Sequence, residues 1–389
     1  MSRIDPDRLI EQCADEGVDA GITIRTELEP LGGPGAKVKP AVYLGGVFQL
    51  GVRWWGEGDG RRPVQVITID NEPSQANRLE AALERFREQL GLPELVLDLT
   101  SLEPLPPHVP RRLSSFRFPH RNADAYLRDA KLDGIEFLRT DIGKAIVSAT
   151  GDNADSLLEW FPQGLLFGFW QSHLGKKGSQ AKLARSWVSE IIGIEPAATD
   201  VRSLGLKGDP LNLSSQDVNV DYDEQWHERW EPADKGKNLS DIGHGQVPVR
   251  GDDAPLAGVS FLQVVQQSSL SLAALRRIRT SVGAAEARAV VAALGIVAHV
   301  GAFGRAFHLR SGCDLRPCDT RWTWLAAEGD ETIDPPGFDE AVELFQEVVE
   351  RAAAAGLPVG RRWPDPLTLQ PKDNLATVIR KTFPEPEVV

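Results

Sequence analysis

Short segments in which apolar and polar residues alternate recur along this chain, and this period of two predicts β-strands. The clearest of them lie at 18–28, 64–70, 94–99, 258–265 and 302–310. Other segments repeat apolar residues at spacings of three and four, which predicts helices near 74–90, 122–131, 153–160, 179–192, 284–299 and 337–355. Helices interspersed among strands in this way predict an α+β protein built on one sheet.

The order of these elements is consistent with a ferredoxin-like core (β-α-β-β-α-β) that is interrupted by large insertions. Strand-forming segments lie at both ends of the long insertions, so we treat 1–389 as a single domain. Within this domain we predict a glycine-rich insertion at 31–62 and an inserted helical lobe at 104–193. We also predict a long loop or hairpin insertion at 206–257, and an acidic C-terminal helix and tail at 328–389. Within the lobe, the Pro- and Arg-rich stretch 104–121 is predicted to be an exposed loop.

The net charge of −13 argues at first sight against nucleic-acid binding. The charge is unevenly distributed, however. Residues 328–350 contain nine acids and no Lys or Arg, whereas arginines concentrate in 108–128 and 271–321. Because binding depends on the local field rather than on the total charge, the composition permits RNA binding without indicating it.

The sequence predicts neither a membrane protein nor a metalloprotein. The longest apolar run, 289–300, falls short of the roughly 18 residues of a membrane helix, and the N-terminus lacks the apolar stretch of a secretion signal. Three cysteines cannot build a disulfide framework, and Cys313 and Cys318 have no second pair to complete a zinc site. We therefore expect reduced thiols in a cytoplasmic protein without a metal or another cofactor.

The first candidate site is the beginning of the helix predicted at 74–90. Gln75, Asn77 and Arg78 lie in its predicted first turn, beside backbone N–H groups that favour a phosphate. Arg78 could hold a phosphate of an RNA strand while Gln75 or Asn77 contacts a ribose 2′-hydroxyl, the group that distinguishes RNA from DNA. The alternative is an ordinary surface helix whose polar side chains are solvated.

The second candidate is the run at 162–193, which places aromatic residues before a set of basic ones. Basic groups can hold phosphates, and bases can stack on an exposed Trp170. Aromatic residues in such an apolar run are also common in protein cores, which is the interpretation we favour for Phe169 and Trp187 and leave open for Trp170. The basic candidates in this run are His173, Lys176, Lys177, Lys182 and Arg185.

A third group surrounds the sequence GGPG, where glycines would let a ligand approach the backbone closely. Arg25, Lys37 and Lys39 are the basic residues there, and a plain flexible loop is the alternative. Trp54 and Trp55 lie in a segment that offers little to bury them. They could wedge between bases or pack on a second copy of the chain.

An enzyme is the competing hypothesis for function. His244 lies three residues after Asp241, and such a pair could bind a metal or act as a general base. No H-x-x-x-H, G-x-S-x-G or phosphate-loop motif is present, however. We therefore predict no catalytic residue, and we count His244 among the RNA-binding candidates.

Several segments together resemble the backbone subunit of CRISPR type I-G effectors, formerly called type I-U, in the repeat-associated mysterious protein (RAMP) superfamily. They are TIDNEPSQANRLEAAL at 68–83, DAGITIRTELEPLGGPGAKVKPAVYLGG at 19–46, PQGLLFGFWQSHLGKKGSQAKLARSWVSEIIG at 162–193, LSDIGHGQVP at 239–248 and LRSGCDLRP at 309–317. The similarity spans most of 19–317, and SQANRLE, LFGFW and KLARSWVSEIIG are its most specific parts.

This resemblance implies a non-enzymatic protein with an RRM-like palm, a finger-like helical lobe and a hairpin thumb. The thumb would be one of the insertions, 31–62 or 206–257. Such a subunit binds the guide crRNA, oligomerises into a helical filament with other Cascade subunits, and presents the guide to target DNA. In such a filament, the acidic face at 328–350 could dock against arginines near 271–321 of a neighbouring copy.

Overall fold

The computed structural model describes residues 3–56, 58–172, 174, 181–202, 211, 219–221, 231–232, 237–238, 255–360 and 366–383. Its strands are β1 (Gly21–Pro30), β2 (Val42–Tyr43), β3 (Val47–Phe48), β4 (Leu50–Trp55), β5 (Arg62–Asp70), β6 (Leu95–Asp98), β7 (Arg112–Ser114), β8 (Ala130–Leu132), β9 (Ile135–Glu136), β10 (Phe169–Gln171), β11 (Ala181–Leu183), β12 (Trp187–Pro196), β13 (Asn219–Asp221), β14 (Glu231–Pro232), β15 (Lys237–Asn238), β16 (Phe261–Ser271), β17 (Phe307–Arg310), β18 (Cys313–Ala326), β19 (Gly329–Ile333) and β20 (Leu367–Pro371). Its α-helices are α1 (Pro6–Cys13), α2 (Glu72–Arg85), α3 (Arg87–Leu90), α4 (Ala125–Arg128), α5 (Asp141–Ser148), α6 (Asp155–Trp160), α7 (Pro162–Phe167), α8 (Leu272–Leu275), α9 (Ala284–Phe303), α10 (Phe338–Ala354) and α11 (Asp373–Thr382).

The main sheet has eight strands in the order β17-β18-β1-β16-β12-β5-β4, with β19 also paired to β18. Its neighbouring strands are all antiparallel. In chain order, β1, α2, β12, β16, α9 and β18 form a β-α-β-β-α-β unit, and its strands lie in the order β18-β1-β16-β12. This is the predicted ferredoxin-like arrangement. The prediction of an α+β fold with this core is confirmed.

Helices α2 and α9 cover one face of the main sheet, and α10 packs against α9. Ile22 and Ile24 of β1, Trp187 of β12 and Trp322 of β18 pack with them in one buried cluster. Helix α9 is long and apolar enough, by length and composition, to cross a membrane, but 83% of its most apolar window is buried in the fold. It therefore occupies the position of a core helix.

A second sheet of five strands has the order β7-β6-β20-β8-β9. Strand β6 coincides with the predicted strand 94–99, but it belongs to this second sheet and not to the main one. The prediction of a single sheet is therefore wrong. Its parallel neighbour β20 comes from the C-terminal segment predicted to be a tail, and α11 follows it. The stretch 104–121 also buries Phe116 and Phe118, so it is not wholly an exposed loop.

The helix predicted at 179–192 is wrong, because this segment forms β11 and then β12. Apolar residues at 184, 187, 188 and 191 fit a helical repeat. From Trp187 to Ile191, however, burial alternates with a period of two, with Ser189 facing the interior and Glu190 facing out. The β-branched residues in this stretch also favour a strand. The strand predicted at 302–310 begins only at Phe307, since α9 continues to Phe303.

The three cysteines are free thiols, as predicted. Cys13 and Cys313 are buried and Cys318 is exposed. Burial raises the pKa of the Cys13 thiol to about 12 and that of Cys313 to about 11, which keeps both protonated at neutral pH.

Candidate nucleic-acid interface

A small sheet formed by β10 and β11 exposes an aromatic ring next to a basic side chain. Across this sheet Phe169 pairs with Leu183, and Trp170 pairs with Lys182. Phe169 and Leu183 are buried, whereas Trp170 is 61% exposed and Lys182 is also exposed. Because directly opposed residues share one face of a sheet, the indole and the lysine stand side by side on the solvent face. Phe169 lies in the core as predicted, and Trp170 does not.

Gly168 and Arg121 fix the position of this strand pair. Gly168 has a φ of +74°, and a Cβ at this position would lie 2.6 Å from the Leu183 carbonyl oxygen, so the close approach requires glycine. Arg121 donates to the Gly168 carbonyl oxygen at 3.2 Å and forms a two-point ion pair with Glu80 at 2.7 and 2.8 Å. The strand pair is therefore anchored on α2.

Arg185 follows β11 and is exposed. Within the part of the chain that the structure describes, neither Arg185 nor Lys182 forms an ion pair or a side-chain hydrogen bond. An exposed indole with two such basic groups offers a nucleic-acid strand both a stacking surface and countercharges. Four predicted site residues lie outside the described residues: His173, Lys176, Lys177 and His244.

Helix α2 begins at Glu72, two residues before the predicted start. The side chain of Asn71 caps it by accepting the Ser74 N–H at 3.1 Å. A phosphate placed at this helix end would compete with the protein's own cap and would meet the carboxylate of Glu72. The chain's own cap therefore occupies the position that was predicted to bind a phosphate.

The three residues predicted around this helix end lie in different environments. Gln75 is completely buried, so a contact between its side chain and a ribose is not possible in this structure. Arg78 is partly buried and pairs with Asp70, its Nε lying 2.8 Å from the carboxylate. Asn77 is exposed and remains available to a ligand.

Asp70 is the centre of a buried polar cluster at the end of β5. Its carboxylate accepts hydrogen bonds from Arg78, from Arg310 Nη2 at 2.8 Å, from Gln75 Nε2 at 2.6 Å and from Ser74 Oγ at 2.9 Å. Burial opposes ionisation, but the hydrogen bonds and charge of Arg78, together with the other donors, hold the pKa of Asp70 below its ordinary value. The ionised carboxylate thereby ties α2 to β17.

Gln75 continues this cluster beneath the sheet. Its Oε1 accepts from Ser189 Oγ and from Gln266 Nε2, each at 2.8 Å, and Ser268 Oγ donates to Ser189 Oγ at 2.8 Å. These bonds join α2 to β12 and β16. Gln75 of SQANRLE and Ser189 of RSWVSE thus meet in the interior, and for Gln75 the observed role is structural.

The group around GGPG is divided between two places. Arg25 lies on β1, where it pairs with Glu27 at 3.2 Å and sits over the Trp55 ring at 5.2 Å from the ring centroid. Lys37 is exposed and Lys39 is half-buried, in a segment that the pairing of Val38 with residue 259 holds to the sheet. The segment is therefore fastened rather than a plain loop, and it presents Lys37 to solvent.

The sheet face opposite the helices contains a further basic residue that the sequence analysis missed. Arg321 of β18 stands directly opposite Arg25, while Gln267 of β16 flanks Arg25 on its other side. Arg321 is exposed and forms no ion pair among the described residues. Like charges directly opposed on a sheet repel each other, so an anion on this face would relieve the repulsion. The period-two pattern of 313–325 was the signal that could have identified Arg321.

Most arginines of the two arginine-rich regions are paired within the chain. In 108–128 every arginine has a carboxylate partner: Arg111 with Glu103, Arg112 with Asp98, Arg117 with Glu84, Arg121 with Glu80 and Arg128 with Asp129. In 271–321, Arg279 and Arg288 pair with Asp15, and Arg316 pairs with Glu29. A concentration of arginines in the sequence therefore overstates the positive charge that is available to a ligand.

No group of three or more His, Cys, Asp and Glu that could hold a metal occurs among the described residues. The pair Asp241 and His244, on which the enzyme hypothesis rested, lies outside them.

A family model described as CRISPR-associated protein GSU0053 (Cas_GSU0053) matches residues 22–197, a little under half of the chain. A search of curated proteins gave no match. The matched range contains nearly all of β1, all of α2 and the β10–β11 pair, so it includes most of the candidate interface. Over these residues, the chain is similar to this CRISPR-associated protein family.

Proposed function

We propose that this protein is the guide-RNA-binding backbone subunit of a CRISPR type I-G effector of the RAMP superfamily, a cytoplasmic and non-catalytic protein. The observation that carries the proposal is the pairing of Trp170 with Lys182 on an exposed strand face. An exposed tryptophan costs solubility unless a partner covers it, and a neighbouring lysine suits a base attached to a phosphate. This arrangement holds a strand without supplying any group that reacts with it.

The main sheet supports the same function. A ferredoxin-like sheet has one face covered by helices, and here the other face presents Arg25 and Arg321 as an opposed pair. RRM domains, which share this topology, use the open sheet face for single-stranded RNA. Sequence recognition would be left to base pairing between the crRNA and target DNA, with the protein reading the backbone.

Filament formation is part of the proposal, and the surface of β2 to β4 supports it. Exposed apolar side chains are concentrated there: Val42, Leu44, Val47, Leu50, Val52 and Trp54. Strand β4 also ends the strand order of the main sheet, so one of its edges is open among the described residues. An apolar patch beside an open edge suits a contact with the next copy along the RNA. Residues 31–62 are thus a candidate for the thumb.

The test is binding of a labelled single-stranded RNA of about ten nucleotides, long enough to cross one stacking site. Loss of one stacked base costs about 1–3 kcal/mol, so Trp170→Ala should weaken binding by about 5- to 150-fold. Lys182→Gln should lower the log–log salt slope by about 0.7. The control is Ile135→Ala, because Ile135 on β9 is an exposed apolar side chain, at 55%, outside the proposed RNA and filament contacts.

The proposal fails if the wild-type protein does not bind RNA, or if Trp170→Ala binds RNA as tightly as Ile135→Ala does. Metal-dependent cleavage of RNA that is abolished by His244→Ala would support the enzyme hypothesis instead. Binding of target DNA is measured with the loaded complex, since it requires the guide.

A further inference from the structure

A cleft lined by basic side chains lies between α2 and the end of α9. Its volume is about 340 Å³, and the C-terminal half of α2, the end of α9 and residues 305–309 form its walls. Arg78, Arg85, Arg305 and His308 line it. Of the described residues around the cleft, none is Asp or Glu.

Arg78 is paired with Asp70 and His308 contacts Asp314, so the positive charge that is not neutralised in this cleft belongs to Arg85 and Arg305. Arg85 Nη2 donates to the Gly301 carbonyl oxygen at 2.6 Å, and burial, together with the nearby charge of Arg305, lowers the pKa of Arg85. Arg305 is exposed and has no ion-pair partner within the described residues. Two guanidinium groups close enough to repel each other, without a carboxylate between them, form an environment that favours a bound anion.

An aromatic pocket of about 380 Å³ adjoins the cleft. Phe86, Trp322 and Phe338 line it, and Phe303 and Arg305 line both cavities. Rings arranged in this way can enclose a planar base, while the arginine at the boundary reaches a group attached to that base.

His299 adds an independent indication of a polar ligand. It lines the aromatic pocket and is 4% exposed, and its Nδ1 has no hydrogen-bond partner among the described residues. A buried polar atom without a partner is costly, so such atoms commonly mark a missing ligand or water. Burial lowers the pKa of His299 to about 3, and a neutral imidazole can both donate and accept hydrogen bonds.

We propose that the two cavities form one nucleotide-binding site, with a phosphate on Arg305 and Arg85 and the attached base in the aromatic pocket near His299. The nucleotide could belong to the bound RNA strand, in which case the inference rests on the proposed function, or it could be a free nucleotide, in which case it does not. The site is separate from the Trp170–Lys182 pair, so each can be removed without the other.

The experiment compares two ligands on the full-length protein, adenosine 5′-monophosphate by calorimetry and single-stranded RNA by salt titration. The informative variant is Arg305→Gln, because Arg305 forms no contact that the fold requires. Arg305→Lys keeps the charge and should retain most of the binding. Arg277→Gln is the matched control, since Arg277 is an exposed arginine elsewhere that also forms no ion pair among the described residues.

For a free nucleotide, Arg305→Gln should weaken monophosphate binding about tenfold or more, with Arg277→Gln unchanged. If the site instead holds a nucleotide of the RNA strand, the monophosphate should bind weakly or not at all. Arg305→Gln should then lower the salt slope of RNA binding by about 0.7 more than Arg277→Gln does. The inference is overturned if Arg305→Gln equals Arg277→Gln in both assays. If the protein binds the monophosphate but no RNA, the site stands and the proposed function fails.

Discussion

Replacement of Asp70 by Asn tests the polar cluster that holds α2 on the sheet. The Asp70 carboxylate is 0% exposed, and it is the shared partner of Arg78 and Arg310. Asparagine has nearly the same shape but no charge, and its amide N–H₂ would face donors instead of accepting from them. Two guanidinium groups would then lose their buried countercharge.

The burial of Asp70 and of its two arginine partners determines how much unfolding free energy the substitution should cost. Removal of one partner of a buried ion pair costs about 3–5 kcal/mol. Arg78 and Arg310 are 26% and 25% exposed, so they can regain some water, and this places the expected loss near the lower end, at about 3 kcal/mol. Urea unfolding followed by the fluorescence of buried tryptophans such as Trp187 measures this loss. Asp330→Asn is the control, since Asp330 is exposed on β19 and its replacement should change stability by less than about 0.5 kcal/mol.

The pH dependence gives a second test of the same cluster. Because the pKa of Asp70 is lowered in the folded state, its ionised form adds stability that is fully present above about pH 5. This stability is lost as the pH falls through the folded-state pKa. Asn cannot bind that proton, so the difference between wild type and Asp70→Asn should shrink from pH 5 towards pH 2. A loss below about 1 kcal/mol at pH 7, or a difference independent of pH, would refute the assignment of Asp70 as an ionised structural centre.

Three further predictions concern the packing around the interface and the core. Arg121→Ala should cost about 3–5 kcal/mol in urea unfolding, because it leaves a buried carboxylate of α2 without its partner, and a loss near zero would contradict this ion pair. Gly295→Ala should destabilise by about 1–3 kcal/mol in thermal unfolding, since its Cβ would lie 2.5 Å from Trp187, whereas Gly60→Ala, which meets nothing, should not. The imidazole NMR signals of His299 should not titrate between pH 5 and 8, and a titration midpoint near pH 6.5 would contradict its burial. The folded protein should also lose stability as the pH falls below about 6.5, because there only the unfolded chain binds this proton.

The elements that the sequence predicted well have unambiguous patterns. Strand β1 alternates buried and half-buried residues along its length, and α10 places its apolar residues on one face. In β12, by contrast, apolar residues at 184, 187, 188 and 191 satisfy a helical repeat as well as a strand repeat. Only the pairing of β12 with β16 and β5 decides between them, and this pairing depends on residues that are far away in the chain.

The site was harder to predict than the fold, for the same reason. Asp70 and Arg310 are 240 residues apart, so nothing near Asp70 in the sequence identifies its second partner. Gln75 and Arg78 were predicted to bind RNA because they are polar and lie at the beginning of a helix. Polarity alone, however, does not show whether the partner of a side chain is a ligand or another residue of the protein. Trp170 and Lys182 became neighbours only through strand pairing.

The pairing of arginines within the chain leads to a prediction about RNA binding itself. A basic group increases the salt dependence of RNA binding when it releases counterions on meeting a phosphate, and one already neutralised by a carboxylate releases few. Arg117 is 62% exposed, but it is paired with Glu84 at 2.8 Å. Arg117→Gln should therefore leave the salt slope of RNA binding nearly unchanged, whereas Lys182→Gln lowers it by about 0.7. Equal effects of the two substitutions would show that exposure, rather than the lack of an internal partner, determines which basic groups meet the strand.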